Sequence, residues 1–350
     1  MVYVGVDQHK RFSQMAVIDD SGAVLDQRRL YHDDKDALAQ YLDQWPGPVA
    51  VALEATRSWY WLYELLEQHA ERVMLSHPAK TRLVAEAKVK TDKVDAEALA
   101  QLLRTDFLPQ AYVPPRSVRD QRELHRWRVV VVALRTKLKN RVHAILDKLG
   151  IEQSLSDLFG RRGREFLDGL SLRGPYELEL RSCLRLIDAI GAEEHSVTVE
   201  IRRVLKEDPR ARLLMSVPGI GETWAYLILC EVGEIERFRS AKHFASYCAL
   251  TPRTRQSAEH FWQGGTDRRG NLYLKWALVE AAHVAHTKDP ALGALYASKS
   301  RTKGTGKAAV IVAHKLAIAV YQVLSRGEKY RYNALTRRHL GKPEAALGRQ

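Results

Sequence analysis

Four carboxylates and one serine stand where they could handle a phosphodiester. Asp7 ends a short apolar run, Tyr3-Val4-Gly5-Val6, and Glu54 ends a second run over 49–53. Asp92 and Asp95 lie three apart near the start of a helical stretch, so they share one helix face. Carboxylate oxygens are what a hard divalent cation such as magnesium prefers. Two such ions about 4 Å apart clamp a phosphodiester, activating the attacking oxygen and stabilising the leaving one. Singly, each acid has a plainer reading: strands often end in Asp, and Asp92 suits a helix N-terminus, where a carboxylate favours the dipole. Four acids in this order point to metal. Ser257 follows Arg253 and Arg255 and precedes Gly264-Gly265 and Asp267-Arg268-Arg269-Gly270-Asn271. A serine hydroxyl among guanidinium groups can attack a phosphate whose charge they neutralise, although most loop serines are simply solvated. No spacing singles out a Ser-His-Asp triad.

The elements that must position these residues follow from pattern. Apolar runs at 3–7 and 14–18, the turn Asp19-Asp20-Ser21-Gly22 and the run 23–30 predict three strands in meander. Then come a helix at 36–45, a stop at Pro46-Gly47-Pro48, a buried strand at 49–53, a helix at 59–69, a strand at 72–76 and a helix at 92–104. Meander followed by alternating helix and strand predicts a ribonuclease-H-like mixed sheet. Such a sheet sets the ends of its first and fourth strands side by side and packs a later helix across them. Actin-like ATPases and sugar kinases share the Gly-x-Asp strand end, but the glycine-rich phosphate loops they need are not found.

Pro109 and Pro114-Pro115 mark a boundary. Beyond it Leu124, Trp127, Val131, Leu134, Leu138, Val142, Ile145 and Leu149 recur at steps of three and four, the pattern of a coiled-coil seam. Window 116–150 holds ten Lys+Arg against three acids. A second such stretch runs through Leu180, Leu184, Ile187, Val197, Ile201 and Val204, so the pair predicts an antiparallel hairpin or a dimerisation arm. Val217-Pro218-Gly219-Ile220-Gly221, with Ala225 and Ile228, has helix-hairpin-helix spacing; such turns grip nucleic-acid backbone through N–H groups or serve only helix packing. Segment 208–325 reads as mostly helical, interrupted by a loop at 251–271, and a basic tail follows. His283 and His286 sit on an apolar helix with no third ligand and read as structural.

The chain of 350 residues carries a net charge of +13. Residues 1–115 hold 13 Lys+Arg against 17 Asp+Glu, a net of −4, which leaves +17 for the remainder. The basic part implies a polyanion partner. Three Cys without a CxxC pair disfavour a disulfide framework or structural zinc. The apolar stretch 308–324 is interrupted by His314 and Lys315 and reads as a packed helix rather than a span, and the N-terminus lacks a basic leader. No membrane is expected, and a cytoplasmic, nucleoid-associated location is.

The motifs Val4-Gly5-Val6-Asp7, Leu53-Glu54-Ala55-Thr56 and Lys90-Thr91-Asp92-Lys93-Val94-Asp95-Ala96 resemble the DEDD set of transposases of the insertion sequence 110 family. Val217-Pro218-Gly219-Ile220-Gly221, the run from Phe244-Ala245-Ser246-Tyr247 to Thr251-Pro252-Arg253, Gln256-Ser257 and Arg269-Gly270-Asn271 resemble that family's Tnp domain. The resemblance reaches to about residue 325. It implies a RuvC-like domain at 1–115, a coiled-coil arm at 116–207, a mostly helical Tnp domain at 208–325 and a basic tail at 326–350. It also implies an RNA-guided recombinase: a bridge RNA pairs with donor and target DNA, and Ser257 forms a covalent phosphoserine link. Asp7, Glu54, Asp92 and Asp95 hold Mg2+ beside it, in a composite site of dimers that assemble into a tetramer. One departure is Ala258, where glycine usually follows the serine. Nucleic-acid contacts are expected at Arg126, Arg128, Lys137, Lys139 and Arg141, at Gly219 and Gly221, and at Arg253, Arg255, Arg268 and Arg269. The rival expectations are a junction-hydrolysing RuvC-like nuclease and a non-catalytic nucleic-acid-binding protein.

Overall fold

The computed structural model describes residues 1–84, 91–257, 260–266 and 269–331, in two units, 1–114 and 115–350. The first unit is built on a five-stranded mixed sheet. Its elements are β1 (Val2–Gln8), β2 (Phe12–Ile18), β3 (Val24–Tyr31), α1 (Lys35–Asp43), β4 (Val49–Glu54), α2 (Trp59–His69), β5 (Arg72–Ser76), α3 (Pro78–Val84) and α4 (Asp92–Arg104). Strand order is β3-β2-β1-β4-β5; the first three strands run antiparallel, and β1-β4-β5 run parallel.

Strand period two decides the layers. Val2, Val4, Val6, Val49, Val51 and Leu53 point to one face and pack on Leu38, Leu42, Leu62 and Leu66 of α1 and α2. The alternate residues Tyr3, Ala50 and Ala52 face the other way and pack with Leu99 and Leu103 of α4. Small residues on that face let α4 come close. The extreme case is Gly5, where an added Cβ would lie 1.8 Å from the carbonyl oxygen of Ala96.

The second unit is mostly helical. Its two longest helices, α5 (Arg116–Lys148) and α7 (Pro175–Glu207), flank the short α6 (Arg161–Gly169). Ion pairs from Arg141 to Glu179 and from Arg135 and Arg128 to Glu194 show that α5 and α7 run antiparallel. Val142, Ile145, Leu146, Leu180, Leu184 and Ile187 form the core between them. The seam read from spacing is only partly closed: Trp127 and Leu134 are exposed, whereas Arg119, Arg122 and His125 are buried. The N-terminal half of α5 turns its polar residues toward α9 (Glu222–Val232), where Arg122 donates to the Cys230 and Glu231 carbonyls. A polar side chain with carbonyl partners can take a buried place that apolar spacing assigns to its neighbours.

The remaining elements are α8 (Pro209–Leu214), α10 (Ala241–Tyr247), β6 (Pro252–Ser257), β7 (His260–Thr266), α11 (Leu272–Lys288), α12 (Pro290–Lys303) and α13 (Thr305–Arg326). The expected loop at 251–271 is therefore a two-stranded antiparallel hairpin, with Ser257 opposite His260. Its strands alternate polar with polar, as in Arg253-Thr254-Arg255-Gln256, so the pattern that betrays a half-buried strand is missing. Among the described residues α13 alone is long and apolar enough to cross a membrane, yet Val312, Leu316, Val320 and Val323 are buried in the unit's core. His286 stacks on Tyr296 at 4.0 Å.

Candidate functional site

The close approach at Gly5 puts the first turn of α4 over the end of β1. Thr91 caps that helix, its hydroxyl accepting from the Val94 N–H at 3.3 Å. Asp92 and Asp95 occupy the first turn, where carboxylates suit the positive end of the helix dipole. Asp7 lies two residues beyond Gly5 on the same strand face. Val6 pairs with Leu53 in parallel register, so Asp7 and Glu54 follow side by side, and Glu54 shares the α4 face with Ala50 and Ala52. Gln8 points away and accepts from the Thr56 hydroxyl at 3.2 Å while donating to the Ser58 carbonyl at 3.2 Å. It thereby ties the loop after Glu54 to the end of β1.

Asp7 is mostly buried, and loss of solvent pushes its carboxyl above the usual range. His9 opposes that rise, while the charges on Asp95 and Asp92 add to it. Asp7 thus feels two neighbouring acids across a space that a cation would relieve.

His9 belongs to this cluster and was not expected from the sequence. Its Nε2 lies 3.1 Å from Asp7 Oδ2 and 3.3 Å from Asp92 Oδ1. Its ring stacks on Phe12 at 4.7 Å, and Arg29 lies 4.1 Å over the Phe12 ring while reaching Asp92 at 3.4 Å. Its place two beyond Asp7 is only a weak signal, because β1 ends at Gln8 and His9 follows it. One ligand atom each from Asp7, His9 and Asp92 fall within 4.8 Å of one another. Carboxylate oxygens with an imidazole nitrogen fit a divalent cation.

The serine stands in the other unit. Ser257 is the last residue of β6; Ala258, Glu259, Asp267 and Arg268 lie outside the described residues. Arg253 and Arg255 share β6 with it, and Arg253 is exposed. Both roots of the hairpin are fixed. The Asn271 N–H donates to the Tyr247 carbonyl at 2.6 Å, and a Cβ on Gly270 would lie 2.7 Å from the Ala249 nitrogen. Asn271 also caps α11, accepting from the Leu274 N–H at 3.0 Å, and donates to Glu231 Oε2 at 2.8 Å. Glu231 is buried and also meets Arg126 at 3.3 Å and Arg122 at 3.7 Å. Nothing in the local sequence marks Glu231, whose partners come from residues 122, 126 and 271.

The residues expected to touch nucleic acid divide by their surroundings. Arg126 is engaged by Glu231 and Glu123, Arg128 by Glu194 and Thr198, and Arg141 by Glu179. Lys139 lies 4.7 Å over the Phe159 ring, whereas Lys137 is exposed. Gly219, at φ +85°, abuts α11: a Cβ there would lie 2.1 Å from the Ala281 oxygen. Gly221 precedes α9 with open space about it. Arg269 is exposed at the hairpin's second root.

Comparison with known proteins bears on both units. Residues 4–151 match a family described as transposase, of the DEDD type named for insertion sequence IS110. Residues 211–297 match the family described as Transposase IS116/IS110/IS902. A probable family 20 transposase of Pseudomonas aeruginosa is 27% identical, over 94% of this chain and 98% of its own. The transposase for insertion sequence element IS1111A of Coxiella burnetii is 26% identical, over 95% and 92%. That for element IS1328 of Yersinia enterocolitica is 26% identical, over 80% and 83%.

Proposed function

Because the chain belongs to the IS110 family of transposases and so acts enzymatically on DNA, we propose that it is an RNA-guided recombinase joining donor and target DNA through a phosphoserine intermediate. The observation that carries the chemistry is the gathering of Asp7, Asp92 and Asp95 at the end of β1, with Glu54 beside them in register. The strand order β3-β2-β1-β4-β5 with α4 across it supports a RuvC-like assignment for this unit.

Asp7, Glu54, Asp92 and Asp95 would hold Mg2+. Bound there, the cation stabilises negative charge building on the phosphate oxygens. The Ser257 hydroxyl attacks phosphorus, the serine–phosphate ester forms as the DNA P–O bond breaks, and the departing DNA oxygen takes up a proton. The ester conserves the phosphodiester's energy, so reversing the step with another strand's hydroxyl rejoins DNA without ATP. Arg253 and Arg255, on the same strand as Ser257, are suited to offset phosphate charge. Base pairing by a bridge RNA supplies sequence choice, which fits a basic surface that carries no base-reading motif. Dimers assembling into a tetramer would bring a serine unit and a carboxylate unit of different protomers to one phosphate.

The test is a denaturing gel after incubating protein, guide RNA, Mg2+ and cognate DNA. A protein–DNA adduct should appear and vanish in Ser257→Ala. Strand hydrolysis with no adduct would favour a junction nuclease instead. Asp95→Asn should abolish exchange and leave RNA binding intact; equal loss of both would signal misfolding.

A further inference from the structure

We propose that His9 is a direct nitrogen ligand of the divalent cation, so that the centre is a mixed carboxylate–imidazole site that favours manganese over magnesium. The inference rests on the carboxylate reading above and extends it to a residue outside the DEDD set.

The geometry is the argument. Ligands about 2.1 Å from a six-coordinate ion and at right angles to one another lie about 3 Å apart. His9 Nε2 stands 3.1 Å from Asp7 Oδ2 and 3.3 Å from Asp92 Oδ1, the spacing of adjacent vertices about one ion. The three donor atoms all fall within 4.8 Å of one another, so a small inward shift of the side chains sets them on one coordination sphere. The ring is held for this. It stacks on Phe12 at 4.7 Å and 29°, and Phe12 is itself capped by the Arg29 guanidinium at 4.1 Å. Asp92 is steadied by Arg29 at 3.4 Å, so one arginine supports both the aromatic shelf and a carboxylate.

Chemistry then sets the preference. Mg2+ is a hard ion that dehydrates reluctantly and prefers oxygen. An imidazole nitrogen raises affinity for ions later in the divalent series, and Mn2+ accepts both donor types. A site with oxygens from the DEDD acids and one nitrogen from His9 should therefore hold Mn2+ more tightly than an all-oxygen site would. Mn2+ also carries the same charge and supplies comparable Lewis acidity at a phosphate.

Mn2+ added to the full-length protein gives a readout independent of activity. Pulsed electron paramagnetic resonance should show modulation from a directly bound nitrogen-14, lost in His9→Ala and in His9→Asn. Calorimetry should show Mn2+ affinity falling about tenfold in His9→Ala, with Mg2+ affinity changed less than threefold. Bound Mn2+ without nitrogen modulation overturns the proposal and leaves the carboxylate centre standing. Failure of the unaltered protein to bind Mn2+, or binding undiminished in Asp7→Asn, overturns the carboxylate centre and His9's role with it. A far-ultraviolet circular dichroism spectrum unchanged in the His9 variants makes the loss a ligand effect.

Discussion

Gly5 does for the site what none of the acids can do for itself. A single methyl group there would collide with the Ala96 carbonyl and the Ala100 nitrogen, both backbone atoms that cannot rotate aside. Gly5→Ala should therefore lift α4 from β1, destabilise the first unit by about 3 kcal/mol, as overpacking of a tight core does, and weaken divalent-ion binding. Urea unfolding with and without Mn2+ measures both effects. His125 offers a second test at this scale. Its ring is buried, with neither nitrogen hydrogen-bonded, and burial aided by Arg128 and Arg126 pushes its pKa down to about 4. The unfolded chain takes up the proton near pH 6.5, whereas the folded chain does not until near pH 4. Stability is therefore lost as pH falls through that window, by about 1.4 kcal/mol per unit. His125→Leu should flatten the pH dependence between 6 and 4.5 in urea titrations. The placement of Asp7, Glu54, Asp92 and Asp95 was legible because each sits at a pattern boundary, a strand end or a helix start. His9 was not, since its role depends on a three-dimensional meeting with Asp92, 83 residues on. Glu231 was not, since burial of a charge is decided by partners that only the fold supplies.

At the scale of elements, the Pro218–Gly221 turn separates two readings of one motif. Gly219 is required by packing: its φ is positive, and α11 leaves no room for a Cβ. Gly221 is open. Gly219→Ala should cost about 2–4 kcal/mol, lowering the melting temperature by several degrees, while Gly221→Ala should cost less than about 1 kcal/mol. Thermal unfolding of the two variants checks the contrast, and any loss of nucleic-acid affinity in the stable Gly221 variant then reports on gripping rather than folding. The mixed sheet was readable because its strands alternate or are apolar throughout. The serine hairpin was not, because its polar strands present no periodic apolar face. The outer residues of the α5 seam, Trp127 and Leu134, illustrate the converse: apolar spacing names a face without saying how much of it one chain covers.

For the whole molecule, the split between −4 and +17 gives electrostatics a division of labour. Binding of DNA should weaken steeply with salt, because each phosphate contact releases condensed counterions. The exposed Lys137 and the ion-paired Arg128 should then behave differently. Lys137→Ala should reduce the slope of log K against log salt by about one with stability unchanged. Arg128→Ala should instead lower stability by removing one of the two arginines, with Arg135, that hold the partly buried Glu194. Filter binding across a salt series, beside unfolding curves, checks both. Composition foretold the polyanion, but it could not say which cations are already spent on internal carboxylates.

The fixed roots of the serine hairpin carry a mechanical consequence. With Gly270 against Ala249 and Asn271 tied to Tyr247, the base is an anchored pivot. Six residues of β6 rise from it at about 3.3 Å each, a boom of about 20 Å with Ser257 at its end. Under the proposed chemistry a phosphate meets the serine only where DNA is delivered to the far end of that boom, so the positioning of the strand sets when the bond can break.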